Sequence, residues 1–347
     1  MRVAYISRLR YGAASLVLLF PLAAHSATLD HIRQTGTLRC GVNQETAEYS
    51  TSDDHGAREA FDADICKAVA VAILGPGGRI AINSYPDDVT SMEALGNDKA
   101  DLLPTLTLDL RHSAITGITF SRSLLYDGVG FLVPLGAKIM QADQLGDKKI
   151  CFLAETEVEV ALRGWFERQH LKFLPFPFQE EGEMEAAFVT GNCSALAGDL
   201  TRLAHTRIAF GPRAGRYMLL PEQVSKDPLA AASRADDPAF AAIVRWTIEV
   251  LVQAEESGVT QQNVAAFHAV RDSRSSDPAI KMLMGQTGEI GSLLSLDNAW
   301  ATRVITAVGN YGEIYERDLG EQSPLKLPRA LNRLYTQGGL MYALPLK

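Results

Sequence analysis

The segments TLRCGVN (37–43), EAFDADICKAVAVAIL (59–74) and RIAINSY (79–85) follow one another with only loops between them. The outer two read as strands. The middle one sets Phe61, Ile65, Ala68, Val69 and Ile73 at helical spacing, and Gly75-Pro76-Gly77-Gly78 ends it. Strand, helix, strand is the repeating unit of an α/β sheet covered on both faces. The pattern extends outward in both directions. Thr28–Gly36 is expected to be a short helix, Thr90–Asn97 a helix, Ala100–Thr105 a strand and Val129–Pro134 a fourth strand that could cross to another lobe.

A second series begins at Lys149–Ala154. The expected order is a helix over Val158–Gln169, a strand over Lys172–Phe178, a helix over Glu181–Val189 and a strand over Cys193–Ala197. Asp199 opens the next helix, Ser225–Ser233 could cross back, and Asp237–Glu256 is a long amphipathic helix. Two α/β units joined by two crossings have a functional corollary. Open α/β sheets bind ligands beyond the carboxyl ends of their strands, and pockets favour domain interfaces. Two such ends facing each other form a cleft that closes by hinge motion.

The 347 residues are 47% hydrophobic and 21% charged, enough to bury a core and too ordinary for wholesale disorder. The formal net charge is −8; without the three arginines of the first 27 residues the balance is 30 basic to 41 acidic, or −11. An acidic body repels phosphate backbones, which argues against nucleic-acid partners. Arg2, Arg8 and Arg10 precede an apolar run from Ala13 to Ala24, followed by Ser26 and Ala27. This is the layout of a secretory signal peptide over residues 1–27, cleaved near Ser26 or Ala27. An exported chain meets oxidising conditions, so Cys40, Cys66, Cys151 and Cys193 suggest disulfides. Three connectivities exist; proximity favours Cys40–Cys66 with Cys151–Cys193, against four buried thiols. No C-x-x-C or H-E-x-x-H spacing points to a metal or a dithiol centre, and no cofactor is implied.

Longer motifs now bear on the reading: LRCGVN (38–43), AFDADICKAVA (60–70), YDGVGFLV (126–133), WTIEVLVQAEESGVTQQNV (246–264) and the C-terminal block from NAWATRV (298–304) to GLMYA (339–343). On these the chain resembles the family-3 solute-binding proteins, above all the general L-amino-acid-binding proteins of ABC uptake systems. With sparser matches the likeness covers nearly the whole mature chain, and the four cysteines fall where the close relatives carry theirs. The resemblance implies a type II periplasmic-binding fold: lobe 1 from 28–131 plus 228–347, lobe 2 from 136–224, two hinge strands and a ligand cleft. It implies a periplasmic, monomeric receptor without enzymatic activity, whose closed form docks on an inner-membrane ABC permease. Closure is a population shift driven by differential affinity.

The resemblance also implies a ligand set, placed residue by residue. The aspartate that takes an α-amino group matches Asp199, and the aromatic lid falls on Tyr49. Counting back from Phe120, the carboxylate-gripping arginine falls on His112, with helper hydroxyls at Thr105 and Thr107. A one-residue shift restores Arg111 but moves the helpers to Pro104 and Leu106. The family's Gly-Thr-Thr turn becomes Glu155-Thr156-Glu157. A bound carboxylate beside another at about 4 Å loses about 4 kcal/mol at an effective dielectric near 20. A neutral histidine does not replace arginine. The amine side of the site survives and the acid side looks dismantled, which points to cationic or amide-like solutes lacking a free carboxylate. A plainer alternative has both glutamates facing solvent and Arg111 swinging in.

Other features read as structural. Asp62 and Asp64 suit a helix N-terminus. Glu180 to Glu185 reads as a solvated helix start, His55, His170, His205 and His268 as surface or packing residues, and Trp246 and Trp300 as core. Gly130 and Gly309 look like close-approach positions. Two other functions compete with transport: a sensory receptor signalling to a membrane partner, and a cyclohexadienyl-dehydratase-like enzyme, for which Glu155, Glu157 and His112 would supply acid–base groups.

Overall fold

The computed structural model describes residues 27–43, 60–269 and 277–346. The signal segment through Ser26, Tyr49 with its polar loop, and His55 lie outside these residues. The chain begins with helix α1 (Ala27–Thr35), strand β1 (Thr37–Asn43), helix α2 (Ala60–Leu74), strand β2 (Arg79–Tyr85), helix α3 (Asp88–Gly96) and strand β3 (Leu103–Thr107). A helical turn α4 (Leu110–Ser113) and the long strand β4 (Ile118–Asp127) follow, then strand β5 (Val129–Pro134). The second series is β6 (Lys149–Leu153), α5 (Glu157–Arg168), β7 (Leu174–Phe178), α6 (Glu181–Val189), β8 (Ala195–Asp199), α7 (Leu200–Ala209) and β9 (Tyr217–Leu219). Strand β10 (Asp227–Arg234) returns, and the chain closes with helices α8 (Pro238–Glu256), α9 (Val264–Ala269), α10 (Pro278–Leu283), α11 (Trp300–Val308) and α12 (Tyr311–Asp318).

The strands form three sheets. β1 and β2 are parallel, and a bridge from Cys40 to Leu102 ties them to the chain just before β3. β3, β10 and β4 make an antiparallel sheet in that order. The third sheet runs β7-β6-β8-β5-β9, parallel among β6, β7 and β8 and antiparallel at β5 and β9. This is the two-lobed α/β architecture expected of a type II binding fold. The chain passes between the second and third sheets at Asp127-Gly128-Val129, and again between β9 and β10. The two passages touch: the Val129 N–H donates to Ser225 Oγ at 2.8 Å, and a Cβ on Gly128 would lie 2.7 Å from the Ser225 carbonyl oxygen.

Burial follows the hydrophobic periods. α2 buries Phe61, Ile65, Ala68 and Val69 against α8 and α11, where Phe240, Ile248, Trp300 and Val304 are also buried. Asp237 caps α8 by accepting from Phe240 N–H, with Pro238 at its first turn. Asn310 and Glu313 form a capping box on α12. Both expected disulfides form, Cys40–Cys66 and Cys151–Cys193, one on each side of the crossing. Trp300 is core, while Trp246 is partly buried. Among the described residues no helix is long and apolar enough to cross a membrane.

Most boundaries differ from the sequence reading by one to three residues, as where the Ala100–Thr105 strand becomes Leu103–Thr107. Several elements were absent from that reading, among them α4, β9, α9, α10, α12 and the ten-residue strand β4. The β4 residues ITFSRSLLYD are half-buried for most of their length, so no period marks the strand, and its strand partner β10 lies about a hundred residues away.

Candidate functional site

Four chain segments converge on a cleft of about 760 Å³ between the sheets. β3 and the turn after it bring Thr107, Asp109, Arg111 and His112. The β6–α5 turn brings Thr156 and Glu157, the β8–α7 junction brings Asp199 and Arg202, and the second crossing brings Lys226 and Asp227. Each segment sits at or just beyond a strand terminus, where backbone direction changes and side chains are free to project. Six residues proposed from sequence therefore meet: Thr107, Arg111, His112, Thr156, Glu157 and Asp199. Thr105 and Glu155 do not line the cleft.

Two of the hydroxyls are committed to the protein. Thr105 Oγ1 donates to Asp62 at 2.9 Å, so Asp62 does more than sit at a helix N-terminus. Thr107 lies beside Asp227 and favours its ionised form. Thr156 Oγ1 donates back to the Leu153 carbonyl at 2.8 Å. Glu155 occupies a left-handed backbone with φ +61°, the geometry a glycine would adopt at no steric cost. Asp109 caps the turn that carries His112, accepting from the His112 backbone N–H at 2.7 Å and lying 2.8 Å from its Nδ1.

The electrostatics are dominated by carboxylates. Among the described residues, the cleft is lined by Asp109, Glu157, Glu181, Asp199 and Asp227 against Arg111, Arg202 and Lys226. Burial pushes Asp227 up to about 6, with Asp199 and Glu157 adding to it and the Thr107 hydrogen bond opposing. Burial likewise raises Asp199; Arg202 draws it back and Glu157 pushes it further. Asp109 lies below the usual range, because the hydrogen bonds from His112 outweigh its burial. Glu181 faces Arg202 across 3.4 Å and lines the cleft, which corrects its reading as part of a solvated acidic run. Asp64 pairs with Arg317 instead of serving a helix N-terminus alone.

Sequence reasoning missed Asp227, Lys226, Asp109 and Arg202. Asp109 carried a usable signal, an Asp three residues before His112 at a turn start. Asp227 carried none, since only the β10–β4 pairing brings it to the cleft.

No family model matches the chain. Single proteins match over almost its full length. YhdW of Escherichia coli, provisionally named an amino-acid ABC transporter-binding protein, is 34% identical over 344 residues, 97% of each chain. The general L-amino acid-binding periplasmic protein AapJ of Rhizobium johnstonii is 35% identical over 329 residues, 94% of each. This chain belongs to the amino-acid-binding proteins of ABC transporters. A solved ABC transporter periplasmic binding protein from Brucella ovis, with glutathione bound, shares 34% identity and superimposes with a TM-score of 0.75 over 92% of this chain and 99% of its own. In the cleft Thr107 lies beside Asp227 and Thr156 beside Glu157, whereas Thr105 and Glu155 lie outside it.

Proposed function

We propose that this protein is the periplasmic receptor of an ABC importer and that it takes an amino-acid-like solute presenting a cation to the cleft. The observation that carries the reading is the excess of carboxylates in the cleft, Asp109, Glu157, Glu181, Asp199 and Asp227 against Arg111, Arg202 and Lys226. A solute carboxylate placed beside Glu157 and Asp227 would be repelled by both. A solute ammonium would relieve the repulsion among Asp199, Asp227 and Glu157. On this reading Asp199 binds the amino group. Arg111, His112, Thr156 and Glu157 line the rest of the site, with Tyr49 as its lid. The lobes run 28–131 plus 228–347 and 136–224, in keeping with the sheet membership. The chain acts as a monomer, processed near Ser26 or Ala27, and catalyses no reaction.

Calorimetry on the mature protein tests this with L-argininamide, agmatine, L-arginine, L-glutamine, L-glutamate and glutathione. Argininamide and agmatine are expected to bind and glutamate to fail. Tight binding of several free α-amino acids, glutamate among them, would refute it.

A further inference from the structure

Asp199 occupies the N-cap position of α7, with extended backbone at φ −63° and ψ 141°, yet its side chain makes no cap bond to that helix. An aspartate at such a position ordinarily accepts from the second or third helical N–H. Here another residue does so. Asp127, the last residue of β4, lies 73 positions before Leu200 in the chain. Its Oδ1 accepts from the Leu200 N–H at 3.2 Å and the Gly128 N–H at 2.8 Å. Its Oδ2 accepts from the Thr201 N–H at 3.4 Å and from the Thr201 hydroxyl. Asp127 and Thr201 are both buried. These bonds serve the first-turn N–H groups that no intrahelical carbonyl reaches.

We propose that Asp127 is a positioning residue of the solute site: it caps α7 in place of Asp199 and so leaves the Asp199 carboxylate facing the cleft. The arrangement spans the first crossing. Asp127 ends a strand of the three-stranded sheet, while α7 and Asp199 belong to the five-stranded side, where Asp199 pairs with Val129. One carboxylate thus bridges the chain segment about which the lobes turn. Leu200, the first residue of α7, presses into the space left by Gly130, where an added Cβ would lie 2.3 Å from its Cδ2. The groups facing Asp127 are Asp199 from β8, its register partner Asp227 from β10, and Tyr315 from α12. Burial, Asp199 and Asp227 push Asp127 up to about 7, against the pull of the Thr201 and Gly128 hydrogen bonds.

The consequence for binding rests on the proposed role of Asp199; the capping does not. Crystal structures of ligand-free D127A and D127N decide the capping. In D127A the Asp199 carboxylate is expected to swing onto the vacated N–H groups of α7. In D127N, whose amide oxygen still accepts, it is expected to stay in the cleft. Asp199 left facing the cleft in D127A would overturn the proposal. Should D127A not fold, D199A answers the same question: an aspartate that does not cap is removed without loss of Tm, whereas a lowered Tm with frayed Leu200 and Thr201 amides would refute the inference. Calorimetry with L-argininamide then reads the functional side. D127A should lose about tenfold in affinity or more, as D199N does, with D127N restoring most of it. A D199N variant that binds like wild type would refute the role of Asp199 while leaving the capping result standing. Loss in D199N with wild-type affinity in D127A would refute the positioning role alone.

Discussion

The sign of the pH dependence separates a cation-binding cleft from a carboxylate-binding one. Asp227 is the lever, because burial with Asp199 and Glu157 nearby sets its midpoint at about 6, inside an accessible range. It is faced by Asp199, Thr107, Asp88 and Glu157, and by Asp127 across the strand pair. For a cation that needs Asp227 ionised, apparent affinity is divided by one plus the ratio of protonated to ionised carboxyl. With a midpoint of about 6 that ratio is about 10 at pH ~5 and about 0.01 at pH ~8. Affinity for L-argininamide should therefore fall about tenfold on acidification across that range, equivalent to about 1.4 kcal/mol, and the D227N variant should flatten the profile. Stability of the unliganded protein carries the opposite sign. Folding raises the Asp227 midpoint, so its contribution is full below about pH 4 and is lost as pH rises through about 6. Unliganded D227N should gain on wild type above that midpoint and lose the gain toward acid. Calorimetry and thermal melts on the same samples measure both. An affinity that is flat in pH, or that rises on acidification, refutes the cationic assignment.

Three further outcomes are expected. Replacing Cys151 and Cys193 by serine opens a closed loop of 42 residues and should cost roughly 4 kcal/mol in urea unfolding, slightly more than the loss of Cys40–Cys66 with its separation of 26; an unchanged midpoint would show that neither bond constrains the unfolded chain. Gly130→Ala drives a methyl against Leu200, so a loss of about 1–3 kcal/mol is expected together with weakened solute binding through the adjacent Asp199. A Gly130→Ala variant with wild-type Tm would show that Leu200 swings aside. Arg111→Ala should leave L-argininamide binding within about threefold, whereas a residue gripping a solute carboxylate would lose about tenfold or more for free amino acids.

Much of this protein was readable before its fold was known. Local hydrophobic period is an adjacent-residue property, so α2, α6, β1, β2 and β5 were legible from spacing alone, and the alternation of strands and helices gave the class. Proximity favoured the cysteine pairing that forms, while Asp199 was singled out only by the family resemblance. Direction and partnership were not legible. Whether Thr107 offers its hydroxyl to a solute or to Asp227 depends on where β10 crosses back beside β3, more than a hundred residues later. The cap on α7 comes from the far side of the hinge, and Glu181 meets Arg202 only because α6 and α7 flank the same sheet. A sequence fixes which charges exist and, through local period, the face of an element on which each one sits. Which charges meet in a buried cleft, and so which solute they leave room for, is set by long-range strand pairing that no local period encodes.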